Sequence, residues 1–119
     1  MKLCKLERRH ILHWAGYTLE DSLHWGNGKA LLPSESELIK KLQSSDKEIT
    51  LKLPEVNLIY FWATSYLKGG IMLIGEDIII LKKMLEYYRS LPSLSNDIIE
   101  KIEHIEWLLK ETNNKENHS

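Results

Sequence analysis

The chain has 119 residues, 43% of them hydrophobic and 28% charged, with a formal net charge of −1. This length and balance predict a single folded domain and exclude a disordered chain, which combines low hydrophobicity with high net charge. A net charge so close to zero gives no overall attraction to nucleic acid or acidic lipid. The longest apolar stretches fall far short of the roughly 20 residues that a membrane helix needs, and Cys4, as the single cysteine, excludes an intrachain disulfide. We therefore expect a cytoplasmic protein.

The first 30 residues have two competing interpretations. One set of residues has helical spacing and predicts a helix ending near Gly16: Leu3, Leu6, His10, Trp14 and Tyr17. Alternation over residues 2–6 indicates instead a short strand. Further along, Gly26, Asn27 and Gly28 give a strong turn signal. The sequence leaves open whether this region is helix or strand.

The next segment predicts a short helix followed by a strand. Ser34 and Glu37 have the spacing of a capping box, which favours a helix over residues 34–43. Residues 48–53 then alternate between apolar and polar, as a half-buried strand does. A single strand needs a partner, and the only candidates lie in the first 30 residues.

Three further helices are predicted over residues 54–68, 75–90 and 95–110. The first begins at Pro54 and is apolar nearly all round, so a strand over residues 57–62 is the competing interpretation. Gly69 and Gly70 end it. The second has more apolar circumference than two neighbouring helices can cover, which favours homodimerisation. Ser95 is the expected N-cap of the third.

These elements predict a mainly α fold, an α+β domain with a minor β element. The three C-terminal helices form an antiparallel core, which the capped helix and a small N-terminal strand or loop region cover on one side. The globular domain spans residues 1–110. Residues 111–119 contain no apolar side chain, so we expect a disordered C-terminal tail.

Metal binding and catalysis have little support in the sequence. Cys4, His10, His13 and His24 supply the nitrogen and sulfur donors that zinc favours, which makes a metal-binding domain one alternative. The paired C-x2-C or H-x3-H spacings of structural zinc sites are missing, so no metal or other cofactor is expected. The sequence also contains no nucleophile elbow, phosphate-binding loop or H-E-x-x-H motif. We therefore do not expect an enzyme.

A small dimeric DNA-binding transcriptional regulator is another alternative. The chain carries two basic clusters: Lys5, Arg8 and Arg9, and then Lys82, Lys83 and Arg89. DNA binding requires several neutralised phosphates and polar side chains that reach base edges. The best-defined helices are either acidic or almost wholly apolar, so nucleic acid is not the expected partner.

The favoured interpretation is a non-catalytic regulator or inhibitor that binds the surface of another protein. Tryptophan and tyrosine dominate the energetics of protein interfaces, and this chain has four tryptophans. Trp62 and Trp107 lie in predicted helices and are expected in the core. The predicted contact residues therefore lie in the N-terminal third: Arg8, Arg9, Trp14, Tyr17, His24 and Trp25. Short proteins without motifs are often accessory factors of phages or mobile elements, and we expect this one to belong to that class.

Overall fold

The computed structural model describes the backbone of residues 1–24, 33–67 and 73–117, and the side chains of residues 1–16, 33–67 and 73–111. Within these ranges the chain forms two short strands and five helices: β1 Lys2–Cys4, α1 Lys5–His24, α2 Pro33–Leu42, β2 Glu48–Thr50, α3 Leu53–Leu67, α4 Gly75–Arg89 and α5 Asn96–Asn117. This confirms the mainly α fold with a minor β element. The chain divides into two units, Met1–Ile71 and Met72–Ser119.

The two strands pair in an antiparallel ladder. Leu3 lies opposite Ile49, and both side chains are buried, whereas their strand neighbours point to solvent. Main-chain hydrogen bonds in both directions between Met1 and Leu51, at 2.7 and 3.0 Å, extend the ladder. The strand interpretation of the first residues is thus confirmed for residues 2–4, and the helix begins directly after them.

Helix α1 differs from the sequence-based prediction in its buried face and in its length. Its buried residues are Arg8, Ile11, Trp14 and Ala15, and Leu6, which was expected on the apolar face, is 71% exposed. The helix also continues through Gly16 to His24 instead of ending there. An interior glycine weakens a helix by about 1 kcal/mol relative to alanine, a cost too small to end the helix by itself. The predicted turn at residues 26–28 lies outside the described residues.

Helix α3 packs chiefly on α1 and supplies much of the core of the first unit. Val56, Ile59, Trp62 and Ala63 have no exposed surface, at spacings of three and four. Pro54 lies in the first turn, where its missing N–H costs nothing, so the helix prediction is confirmed over the competing strand. The predicted stop at Gly69 and Gly70 lies outside the described residues.

Two polar contacts join α2 to α3. Nε1 of Trp62 donates a hydrogen bond to Oε2 of Glu35 at 3.4 Å, which gives the buried indole N–H a partner. Nζ of Lys41 lies 3.1 Å from both carboxylate oxygens of Glu55. Glu55 also accepts a hydrogen bond from the main-chain N–H of Lys52 at the start of α3, so one carboxylate caps this helix and pairs with α2.

In the second unit, α4 packs on α5. The buried side chains of α4 recur on one face: Ile80, Leu81, Met84, Leu85 and Tyr88. At its start, the carboxylate of Asp77 accepts a hydrogen bond from the main-chain N–H of Ile74 at 2.8 Å. Because the carboxylate also lies beside the positive end of the helix dipole, this contact favours the helix start.

Helix α5 buries Ile98, Ile102 and Ile105, which the sequence analysis placed on its apolar face. The side chain of Ser95 accepts a hydrogen bond from the main-chain N–H of Ile98 at 3.3 Å, which confirms the predicted N-cap. The helix extends to Asn117, seven residues beyond its expected end at Lys110. Residues 111–117 contain neither proline nor glycine, so a helix can continue through them without an apolar face.

Helix α3 belongs to the first unit, where α1 is its main neighbour, whereas α4 and α5 pack on each other in the second unit. No helix in the described ranges combines the length and apolarity needed to cross a bilayer.

Candidate functional site

The structure corrects two of the predicted contact residues. Trp14 and Arg8 lie in the core of the first unit with no more than 1% of their surface exposed. A buried side chain offers no surface to a partner, so neither can act as an anchor or a rim residue in this fold. Both were expected outside the core because the three C-terminal helices were expected to bury one another's apolar residues, which left the N-terminal third free to contact a partner.

Of the remaining predicted contact residues, only Arg9 has a described side chain, and it is exposed. The side chains of Tyr17 and His24 lie outside the described residues, as does Trp25. The N-terminal surface therefore stays a prediction for these three residues. Trp14, one of the residues expected to anchor this surface, is instead buried in the first unit.

The histidines of α1 make aromatic contacts. The ring of His10 meets Trp14 edge-on at 5.3 Å between centroids, and the ring of His13 meets Tyr66 edge-on at 5.4 Å. Among the side chains that the structure describes, no group of three or more His, Cys, Asp or Glu is placed to hold a metal ion. His24, the fourth ligand of the hypothetical zinc site, is outside that set.

The two basic clusters are each reduced by one cation. Arg8 is buried, and Arg89 pairs with Glu106, whose Oε2 lies 3.2 Å from its Nη2. Lys5 and Arg9 in the first cluster and Lys82 in the second remain exposed. The arrangement offers fewer unpaired cations for phosphate contacts than the sequence suggested.

Of the three tryptophans that the structure describes, Trp107 is the one at the surface. It lies on α5 with 56% of its surface exposed, although the sequence analysis expected it in the core. The helical spacing of the sequence already indicated that Trp107 is exposed. Trp107 is two residues from both Ile105 and Leu109, which places it on the opposite side of the helix from the apolar stripe. Phe61 on α3 is exposed to the same extent.

A groove beside Trp107 runs between α4 and α5. It has a volume of about 570 Å³. Its lining has an apolar part and a charged part: Leu85, Trp107 and Leu109, and then Arg89, Glu103, Glu106 and Lys110. We call this feature the α4–α5 groove. An apolar floor bordered by charged side chains is the general anatomy of a protein-contact patch.

The charges around the groove are only partly paired. Glu106 pairs with Arg89 as noted, and at the start of α5 the carboxylate of Asp97 pairs with Nζ of Lys101. The side chains of Glu100 and Glu103 are exposed and make no ion pair or hydrogen bond with any residue that the structure describes. The surface next to Trp107 therefore carries two uncompensated negative charges.

Comparison with known proteins gives no significant match: no family model fits the chain, and neither a curated protein nor a solved structure is similar to it.

Proposed function

We propose that this chain is a non-catalytic regulator or inhibitor that acts by occupying the surface of a partner protein, with the α4–α5 groove as its contact site. The observation that carries the proposal is the exposure of Trp107 in a groove whose lining combines apolar and charged side chains. A large exposed aromatic side chain beside a concave apolar surface is the combination from which interface hot spots are made.

The energetic reason is the apolar area that a partner would cover. A tryptophan side chain buries roughly 150–250 Å² when it is fully covered, and more than half of the surface of Trp107 remains open. Covering about 100 Å² more would contribute about 2.5 kcal/mol. The side chains of Leu85 and Leu109 extend the area that the same partner residue could contact.

The chemistry of the groove supports binding rather than catalysis. Among the side chains that the structure describes, its lining contains no serine, cysteine or histidine. Arg89 and Glu106 are about half exposed and already paired, so neither is held in the enclosed, water-poor surroundings that catalytic groups need. The groove therefore supplies surface for a partner and no preorganised reacting group.

The test compares Trp107→Ala with a matched control, Phe61→Ala, which removes an equally exposed aromatic residue from the first unit. Each full-length protein is immobilised and incubated with an extract of the cells from which the sequence comes, and the retained proteins are quantified by mass spectrometry. A candidate partner is then purified and titrated against all three proteins. We expect W107A to lower its affinity by more than about tenfold and F61A to leave it nearly unchanged. Equal retention by W107A and wild type would refute the assignment of the site.

A further inference from the structure

The outward face of α5 joins a large apolar side chain to two negative charges. Glu100, Glu103 and Trp107 are spaced three and four residues apart, so they lie along one side of the helix. Their side is opposite to the one that carries the buried Ile98 and Ile102. We call Glu100, Glu103 and Trp107 the acidic–aromatic face.

The two glutamates of this face have no electrostatic compensation within the described residues. Like charges one turn apart disfavour a helix, and the neighbouring acids Asp97 and Glu106 each have a cation beside them. Glu100 and Glu103 have no such cation paired with them among the described residues. A cation brought by another molecule would therefore meet an uncompensated carboxylate without first displacing an internal partner.

We propose that the acidic–aromatic face binds a basic amphipathic segment of a partner protein, a deepening that rests on the function proposed above. The segment would carry Lys or Arg one helical turn apart opposite Glu100 and Glu103, and one large apolar residue that enters the α4–α5 groove beside Trp107. Charge complementarity selects this occupant, because an acidic segment, DNA or an anionic membrane would be repelled by the same two carboxylates. Arginine suits the position best, since its guanidinium pairs with carboxylates in a bidentate manner and stacks on an indole ring.

The experiment uses two synthetic helical peptides as probes for the full-length chain. Both carry leucines on one face, and the other face carries arginine in the first peptide and glutamate in the second. Binding is measured by fluorescence anisotropy at low and at physiological salt. We expect the arginine peptide to bind, with an affinity that falls as salt rises, and the glutamate peptide not to bind.

Two sets of variants locate the binding. Glu100→Gln with Glu103→Gln should lower the affinity for the arginine peptide about fivefold and reduce its salt dependence. Glu37→Gln with Glu48→Gln removes the same charge from exposed positions in the first unit and should change the affinity less than about twofold. W107A should lower it more than about tenfold, with F61A as its control.

Several results would overturn the proposal: no binding of the arginine peptide, equal binding of both peptides, or equal effects of the two glutamine pairs. Sedimentation velocity could give a further result that overturns the proposal. If the wild-type chain forms a dimer that W107A dissociates, a second copy of this chain occupies the face. The proposed function and the proposal of a basic segment can be tested separately. If a purified partner loses affinity with W107A and keeps it with the E100Q and E103Q pair, the contact site stands and the basic segment does not.

Discussion

The guanidinium of Arg8, near the start of α1, donates a hydrogen bond to the main-chain carbonyl of Asp46, just before β2. A second nitrogen of the same group reaches the carbonyl of Ser44 at 3.5 Å, and the Nε atom has no partner among the described residues. The side chain is 1% exposed. The buried guanidinium of Arg8 thus links α1 to the turn that precedes β2.

Replacing Arg8 with Ala should lower the free energy of unfolding by about 2–3 kcal/mol, because a buried side chain and its charge-assisted hydrogen bonds to two carbonyls are lost. Arg9→Ala is the matched control. It removes the same residue type one position along, where the side chain is exposed, and should change stability by less than about 0.5 kcal/mol. Urea unfolding followed by circular dichroism measures both, and equal losses in the two variants would show that the contacts of Arg8 contribute nothing.

Trp14 and Trp107 should respond to alanine in opposite ways. Trp14→Ala empties a fully buried site and should cost about 3–5 kcal/mol of stability. Trp107→Ala removes a side chain that is mostly in solvent and should cost less than about 1 kcal/mol. Thermal unfolding of both variants tests this. A W14A protein as stable as wild type would return Trp14 to the list of contact residues.

Gly16→Ala should stabilise the chain by about 0.5–1 kcal/mol. The position lies inside α1, where alanine has the higher helix propensity, and a Cβ atom built there meets nothing within 4 Å. Differential scanning calorimetry should show a higher midpoint temperature. A lower midpoint would mean that the helix does not run through residue 16 as described.

Asp77→Ala should lower the free energy of unfolding by about 1–2 kcal/mol, since the main-chain N–H of Ile74 loses its carboxylate acceptor at the start of α4. Asp77→Asn keeps an acceptor oxygen and should recover part of the loss. Glu76→Ala is the control, because Glu76 is exposed in the same turn. Chemical unfolding measures the free energy of unfolding of the three variants. A loss in E76A as large as that in D77A would show that helix propensity, and not the hydrogen bond of the cap, causes the effect.

The part of the fold that the sequence predicted is the part that local rules control. The N-cap at Ser95 and the choice of helix at Pro54 follow from capping chemistry and from the restricted backbone of proline. The pairing of residues 2–4 with 48–50 was one of two open alternatives. The period-two alternation of both segments favours the strand alternative. The two strands then pair with each other, because a lone strand leaves its main-chain groups unpaired.

Arg8 and Trp14 were predicted as contact residues although the fold buries them, because exposure is a tertiary property. Sequence patterns predicted helices over residues 54–68, 75–90 and 95–110, and each observed helix starts within one residue of its predicted start. The spacing of α5 also places Trp107 off its apolar stripe. Trp14 and Arg8 are enclosed by contacts between distant segments, since α1 packs on α3 and Arg8 also reaches the turn before β2. An aromatic side chain becomes core or surface according to which neighbouring element covers it, and that choice depends on contacts between segments far apart in the chain.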